Sequence, residues 1–173
     1  MSHRTQSRSA VAPAPQRGLD EEVDPWMRSP SDFAFHWDDC QRCSRQPHPR
    51  SPFPVPRSPF PSVFGKIDRA MKDRCLGDRS ETVASGMPEG VIGGGDRGVM
   101  SVPVVLPGGD RPVLIRGQVD VLVDFDDGPV GVGDFKTTLP KADHLATYSR
   151  HLHAYAWALE HPAGGPAAPV SAL

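Results

Sequence analysis

With 173 residues the chain has room for one ordinary domain, and its length excludes two domains of typical size. Valine, leucine, isoleucine and phenylalanine supply 37 residues, just above the level of about a fifth below which chains stay disordered, so we expect a compact core with unstructured flanks. Three cysteines are too few for a disulfide framework and no apolar run could span a membrane, which predicts a cytoplasmic protein without a membrane partner.

Composition and hydrophobic periodicity suggest a single domain between two tails. Residues 1–24 lack periodicity and are predicted to be a disordered N-terminal tail, and residues 25–161 are predicted to form the domain. Within it, residues 44–61 contain seven prolines, which predicts an extended loop because each proline removes a backbone donor. Residues 162–173 are predicted to be an alanine- and proline-rich tail.

The charge distribution is uneven although the net charge is only −2. Residues 42–79 contain nine lysines or arginines against three aspartates. Such a segment is typical of a phosphate-binding surface and equally of a solvated, arginine-rich loop.

Helix signals stand before and after a central group of strands. Ser31 begins one short helix, and Ser62 is predicted to cap a longer one that ends at Gly77. The glycine-rich stretch 81–98 is predicted to be a loop. Apolar residues spaced three and four apart predict a last helix over residues 142–160.

Three strands are predicted between these helices, over residues 99–106, 112–125 and 130–138. The second shows a strict period of two, and the turn sequence at residues 126–128 joins it to the third. The expected fold class is therefore α/β (α+β), with an antiparallel three-strand sheet flanked by helices.

The loop between the second and third strands decides which polar side chains meet. A three-residue loop with Gly128 left-handed places Asp120 opposite Asp134, whereas a two-residue loop pairs Asp120 with Phe135 and splits the group. The three-residue form also gives the hairpin one apolar face, so it is the register that we predict. Lys136 then lies on the face of Asp134.

Two carboxylates one strand apart repel each other unless a cation lies between them. Oxygen ligands of this kind suit Mg²⁺ or Mn²⁺, and Lys136 could then orient or deprotonate a water or steady charge on a phosphate. A solvent-facing strand with ordinary charges is the alternative.

The segments GQVDVLVDFDDGPVGVGDFKTT and YSRHLHAYAWAL resemble the PD-(D/E)XK nuclease superfamily, specifically its RecB-like branch. The preceding FGKIDRAMK resembles the helix of that branch, with Asp68 at the position of its histidine, and the resemblance covers residues 61–160. The residues that match the other motifs are Asp120, Asp134, Lys136, Thr137, Leu152 and Tyr155.

This resemblance implies a restriction-endonuclease-like core and a Mg²⁺-dependent (or Mn²⁺-dependent) deoxyribonuclease that hydrolyses DNA phosphodiester bonds. By the same resemblance, Lys136 positions the attacking water. The implied metal ligands are Asp68, Asp120, Asp134 and the Phe135 carbonyl. The implied supporting or substrate-binding residues are Thr137, Tyr148, His151 and Tyr155, with His151 in place of the helix glutamine.

The family adds a further strand near the C-terminus, and PVSAL could begin it. The C-terminal part is thus expected to be truncated, with a protein partner completing the fold. Two other functions stay open. One is a catalytically impaired nucleic-acid-binding module on the same fold. The other is a small zinc-binding interaction protein, whose ligands would be Cys40, Cys43, Cys75 and either His36 or His48.

Overall fold

The computed structural model describes residues 24–36, 61–109, 111–136 and 142–173. The helices are α1 (Ser62–Cys75), α2 (Ser80–Val83) and α3 (Leu145–Glu160), with a π-helical turn at Asp32–His36 and a 3₁₀ turn at Ala142–His144. The strands are β1 (Trp26–Arg28), β2 (Gly90–Ile92), β3 (Arg97–Met100), β4 (Val104–Val105), β5 (Pro112–Val119), β6 (Val121–Phe125), β7 (Val130–Gly133) and β8 (Val170–Ala172). The predicted N-terminal tail and proline-rich loop lie outside the described residues, apart from Asp24 and Pro61.

These strands form a mixed α/β fold with two four-stranded sheets. In the first, β5 pairs with β1 in parallel and with β3 and β4 antiparallel. In the second, the order is β2-β6-β7-β8, and only the β7–β8 pair is parallel. The expected antiparallel three-strand sheet is therefore wrong. Strands of three residues, such as β1 and β8, are too short to show the alternation from which strands are predicted.

The segment predicted as one strand, residues 112–125, is two strands that belong to different sheets and meet at Asp120. Odd-numbered side chains are buried on both sides of this break, but those of β5 and those of β6 face different cores. Val119 packs with Ile115, Leu122 and α3 in one core cluster. The second cluster consists of Ile92, Val121, Val123 and Phe125. Both faces of the second sheet are consequently buried at β6.

The predicted hairpin register is confirmed. Val121 lies opposite Gly133 and Val123 opposite Gly131, with a three-residue loop in which Gly128 has φ of +103°. A left-handed residue at this place is what a three-residue hairpin loop requires. The third strand is shorter than predicted, however, because β7 ends at Gly133 and the next three residues are irregular.

The helices agree with the sequence more closely than the strands do. Helix α1 is confirmed, but Pro61 rather than Ser62 occupies its N-cap, and no side chain caps it. Helix α3 supplies Ala154, Tyr155, Ala158 and Leu159 to the first core cluster. The predicted loop 81–98 is wrong in part, since it contains most of α2 and all of β2. No helix in the described ranges is long and apolar enough to cross a membrane.

The predicted strand 99–106 is interrupted after Met100. Ser101 leaves the strand and is fully buried, where its hydroxyl accepts a hydrogen bond from the Ile115 amide at 3.0 Å. The strand expected in PVSAL is present as β8, so the segment predicted to be a C-terminal tail contributes an edge strand.

Gly117 offers a test of how tightly β5 packs against α3. A Cβ atom there would lie 2.8 Å from Pro30 Cδ and 2.9 Å from Tyr155 Cε1, closer than packed carbons approach. We expect Gly117→Ala to lower the free energy of unfolding by about 1–3 kcal/mol through overpacking, measured by urea denaturation. Gly98→Ala is the matched control on β3, because a Cβ there meets no atom within 4 Å. Equal stability of the two variants would contradict this packing.

Candidate active site

The carboxyl groups of Asp120 and Asp134 lie within hydrogen-bonding distance of each other. Asp120 occupies the break between β5 and β6, and Asp134 directly follows β7, so the hairpin register brings them together. The side chains are 28% and 12% exposed, respectively. Burial and the neighbouring Asp134 carboxyl raise the pKa of Asp120, only partly opposed by Lys72. The negative charge of Asp120 is therefore only partly compensated by its surroundings.

Lys136 forms an ion pair with Asp134. Its ammonium also lies 5.4 Å from the centre of the Tyr148 ring, a distance at which a cation is attracted to an aromatic face. With a third of its side chain exposed, Lys136 lies at the rim of the site, where its ammonium can reach a ligand. The sequence placed Lys136 on a strand, but the contact with Asp134 forms just beyond the end of β7.

A second lysine reaches Asp120 from the other side. Lys72 Nζ on α1 lies 3.0 Å from an Asp68 oxygen, 2.8 Å from an Asp96 oxygen and 3.2 Å from an Asp120 oxygen. Asp68, predicted as a direct metal ligand, thus joins the site through Lys72. Within the described ranges, no group of three or more carboxylate, histidine or cysteine side chains is arranged to hold a metal ion.

Tyr155 and His151 form a buried aromatic layer beside the carboxylates. Their ring centres lie 5.1 Å apart, and the Tyr155 hydroxyl donates a 2.6 Å hydrogen bond to the Gln118 carbonyl. Burial and the charges of Asp120 and Asp134 raise the pKa of Tyr155 to about 12, so its proton stays in place at neutral pH.

His151 is buried, and its ring nitrogens form no hydrogen bond within the described part of the chain. Burial, helped by the nearby charge of Lys136, lowers the pKa of His151, while Asp120 opposes this shift. The imidazole is therefore held in its uncharged form, and it adds no positive charge to the site.

The remaining predicted residues are only partly placed. The Phe135 side chain packs against the second core cluster, as does Cys75. Thr137, Cys40, Cys43 and His48 lie outside the described residues, as does the His36 side chain.

Sequence reasoning missed Lys72 and Asp96. Asp68 and Lys72 are four residues apart on a helix, a spacing at which an ion pair could have been predicted. Asp96 gives no local signal, because its contact with Lys72 joins residues 24 apart. Its position depends on the tertiary fold, in which the Gln118 amide donates a 3.0 Å hydrogen bond to the Asp96 carbonyl.

The donor set at Asp120 and Asp134 suits a small hard cation. Magnesium is usually held by one or two carboxylates and keeps several waters, whereas an all-protein cage would need more ligands than converge here. Two touching carboxylates, one of them with a raised pKa, are an arrangement that such a cation stabilises.

No family model, curated protein or solved structure matches this chain. Its function is therefore inferred from the geometry and charges of the site itself.

The raised pKa of Asp120 predicts a pH dependence of stability in metal-free buffer. A carboxyl with a higher pKa in the folded state favours folding below its unfolded pKa of about 3.9, and this contribution is lost as the pH rises through the folded pKa. Asp120→Asn should remove that loss, so its stability relative to wild type should rise as the pH increases above about 4, measured by urea denaturation with EDTA. Asp124→Asn, at an exposed site on β6, is the control. A stability difference between Asp120→Asn and wild type that does not change with pH would contradict the raised pKa.

Proposed function

We propose that the protein is a metal-dependent nuclease that hydrolyses DNA phosphodiester bonds, built on the restriction-endonuclease-like core of the PD-(D/E)XK superfamily, RecB-like branch. The observation that carries this proposal is the contact between the Asp120 and Asp134 carboxyls, with Lys136 paired to Asp134 beside them. Phosphodiester hydrolysis needs a concentrated positive charge and a positioned water; the two carboxylates would hold a divalent metal that supplies the charge, and Lys136 would position the water.

Asp120 and Asp134 would hold Mg²⁺ or Mn²⁺, together with the backbone carbonyl of Phe135. When bound, the metal supplies charge to the phosphate oxygens and lowers the pKa of a coordinated water. The carboxylates contribute by staying fixed. Asp120 is fixed by its place between two strands and by Lys72, and Asp134 by the end of β7 and by Lys136.

Lys136 orients the attacking water and offsets the charge that develops on the phosphate. Its ion pair with Asp134 holds the ammonium beside the ligand position, and the face of the Tyr148 ring attracts the same ammonium. Tyr155 and His151 support this arrangement as uncharged, buried groups. They exclude water from the side of the carboxylates that faces α3.

A groove of about 840 Å³ is lined by residues that neighbour the site along the chain, and its two arginines favour a polyanionic substrate. It is lined by Gln118, which bonds to the backbone of the Asp96 loop, and by Arg97 and Arg116. Neither arginine forms an ion pair with another described residue, and both are exposed, so both are able to contact phosphates. In a protein with a net charge of −2, two such arginines in one groove are suited to a DNA backbone.

Removing the Lys136 ammonium should abolish the chemistry and leave binding largely intact. We expect Lys136→Ala to lower the rate of DNA cleavage about 10²-fold or more, because it removes a group that stabilises charge in the transition state. The assay incubates single- and double-stranded DNA with Mg²⁺, Mn²⁺ or EDTA. Lys66→Ala, at an exposed position on α1, is the matched control and should cleave at the wild-type rate.

Two results would contradict the proposal. Wild-type cleavage by Lys136→Ala would move any activity away from this site. DNA binding by the wild type without metal-dependent cleavage would favour the nucleic-acid-binding module.

A further inference from the structure

The ring of Phe35 lies at the protein surface, although its neighbours in the same turn are enclosed. Phe35 belongs to the π-helical turn Asp32–His36 and is 39% exposed, whereas Asp32 and Ala34 are buried. Single exposed apolar residues are common on proteins, so the surroundings of Phe35 decide whether it has a function. Short π-helical segments are rare and frequently occur at functional sites.

Hydrogen bonds fix this turn in place. The Asp32 carboxylate accepts a 2.8 Å hydrogen bond from the Ser29 amide, and the Ser29 hydroxyl accepts one of 3.2 Å from the Asp32 amide. From α3, the Arg150 guanidinium donates to the carbonyls of the two residues before Phe35, at 3.2 and 3.3 Å. The backbone of Phe35 is therefore held before any ligand arrives, and a group that is fixed in advance loses less entropy on binding.

Phe35 is linked to the site through a single aromatic ring. Its ring centre lies 6.5 Å from that of Tyr148 and 5.9 Å from that of His151, both in edge-to-face orientation. The Tyr148 ring in turn lies 5.4 Å from the ammonium of Lys136, which pairs with Asp134. An exposed aromatic surface thus begins beside the lysine that would meet a phosphate and extends away from it to Phe35.

We propose that Phe35 is a stacking platform for an unpaired nucleobase of the strand whose phosphate lies at Lys136, so that the preferred substrate is single-stranded DNA. The proposal rests on the proposed function, because that function places the phosphate at Lys136. Tyr148 lies between the lysine and the platform and keeps the two at a fixed separation.

The chemistry of a nucleotide fits this arrangement. Each nucleotide joins a phosphate to an aromatic base, so a strand whose phosphate meets Lys136 brings a base towards the rings beside that lysine. Aromatic side chains bind bases through their faces, whatever the sequence, while positive charges bind the backbone. In a duplex, neighbouring bases cover both faces of each base, so only an unpaired base has a face free for Phe35.

The test compares the affinities of the protein for a fluorescently labelled single strand and for the duplex of the same sequence, by anisotropy in Ca²⁺, which takes oxygen ligands as Mg²⁺ does. We expect the wild type to bind the single strand more tightly. Phe35→Leu keeps an apolar side chain but removes the ring. It should weaken single-strand binding about fivefold or more, as the loss of one base–aromatic stack does, and leave duplex binding unchanged.

Two variants control this measurement. Phe35→Tyr keeps the ring and should bind the single strand with wild-type affinity. Trp157→Leu removes a ring that is similarly exposed, at 36%, but lies nine residues beyond Tyr148 and hence on the opposite face of α3. It should leave both affinities unchanged. Equal losses for the single strand and the duplex in Phe35→Leu, or no loss for either, would overturn the proposal.

Cleavage and stacking are separate outcomes. A protein that binds single strands through Phe35 but cleaves no DNA with Mg²⁺ or Mn²⁺ would contradict the proposed function and still support the platform. Cleavage that depends on Lys136 but proceeds equally on single strands and duplexes, in the wild type and in Phe35→Leu, would overturn the platform alone.

A second measurement needs no variant and therefore does not depend on whether Phe35→Leu folds. A single strand that contains iododeoxyuridine becomes linked, on irradiation, to an aromatic ring on which that base is stacked. Mass spectrometry of the digested wild-type protein should find the link on the peptide that contains Phe35. Links at other residues with none at Phe35 would show that its ring has only a packing role.

Discussion

One long extended segment leaves the first sheet and enters the second at Asp120. This change of sheet determines which residues surround Asp120. Because β5 and β6 pair with different neighbours, the residue between them belongs to neither ladder. Val119 and Leu122, on either side of Asp120, are both buried in the core cluster against α3, and the Asp120 carboxyl lies beside the end of β7. Packing of the hydrophobic core thus fixes the position of Asp120, although the charged Asp120 side chain is not part of that core.

The charges that converge on Asp120 follow from this position. Asp134 approaches from the hairpin and Lys72 from α1, while Lys136 binds Asp134 on its far side. Tyr155 and His151 are held uncharged nearby, so they do not relieve the repulsion between the two carboxyls. The site thus contains two lysines with different surroundings. One is enclosed among three aspartates, and the other is partly exposed beside an aromatic ring and able to meet a substrate.

Local chemistry explains which features could be predicted from the sequence. The three-residue loop followed from Gly128, and the loop in turn fixed the register that joins Asp120 to Asp134. Helices α1 and α3 followed from apolar spacing. These features depend on residues close together along the chain, so the sequence carried the necessary information.

The features that the sequence did not predict depend on distant contacts. The period of two continues through Asp120, so nothing in residues 112–125 showed that the strand changes sheets there. The edge strands β1 and β8 are defined by their parallel partners β5 and β7 rather than by their own patterns. Asp96 reaches Lys72 only because the loop before β3 folds back over Asp120.

The most direct test of a cation site at Asp120 and Asp134 is the broadening of amide NMR signals by substoichiometric Mn²⁺, which maps the position of the ion along the chain. The account predicts that the signals of residues 119–121 and 133–136 broaden first. Broadening centred on the exposed hairpin carboxylates Asp124, Asp126 and Asp127, with the signals of Asp120 and Asp134 unaffected, would contradict it.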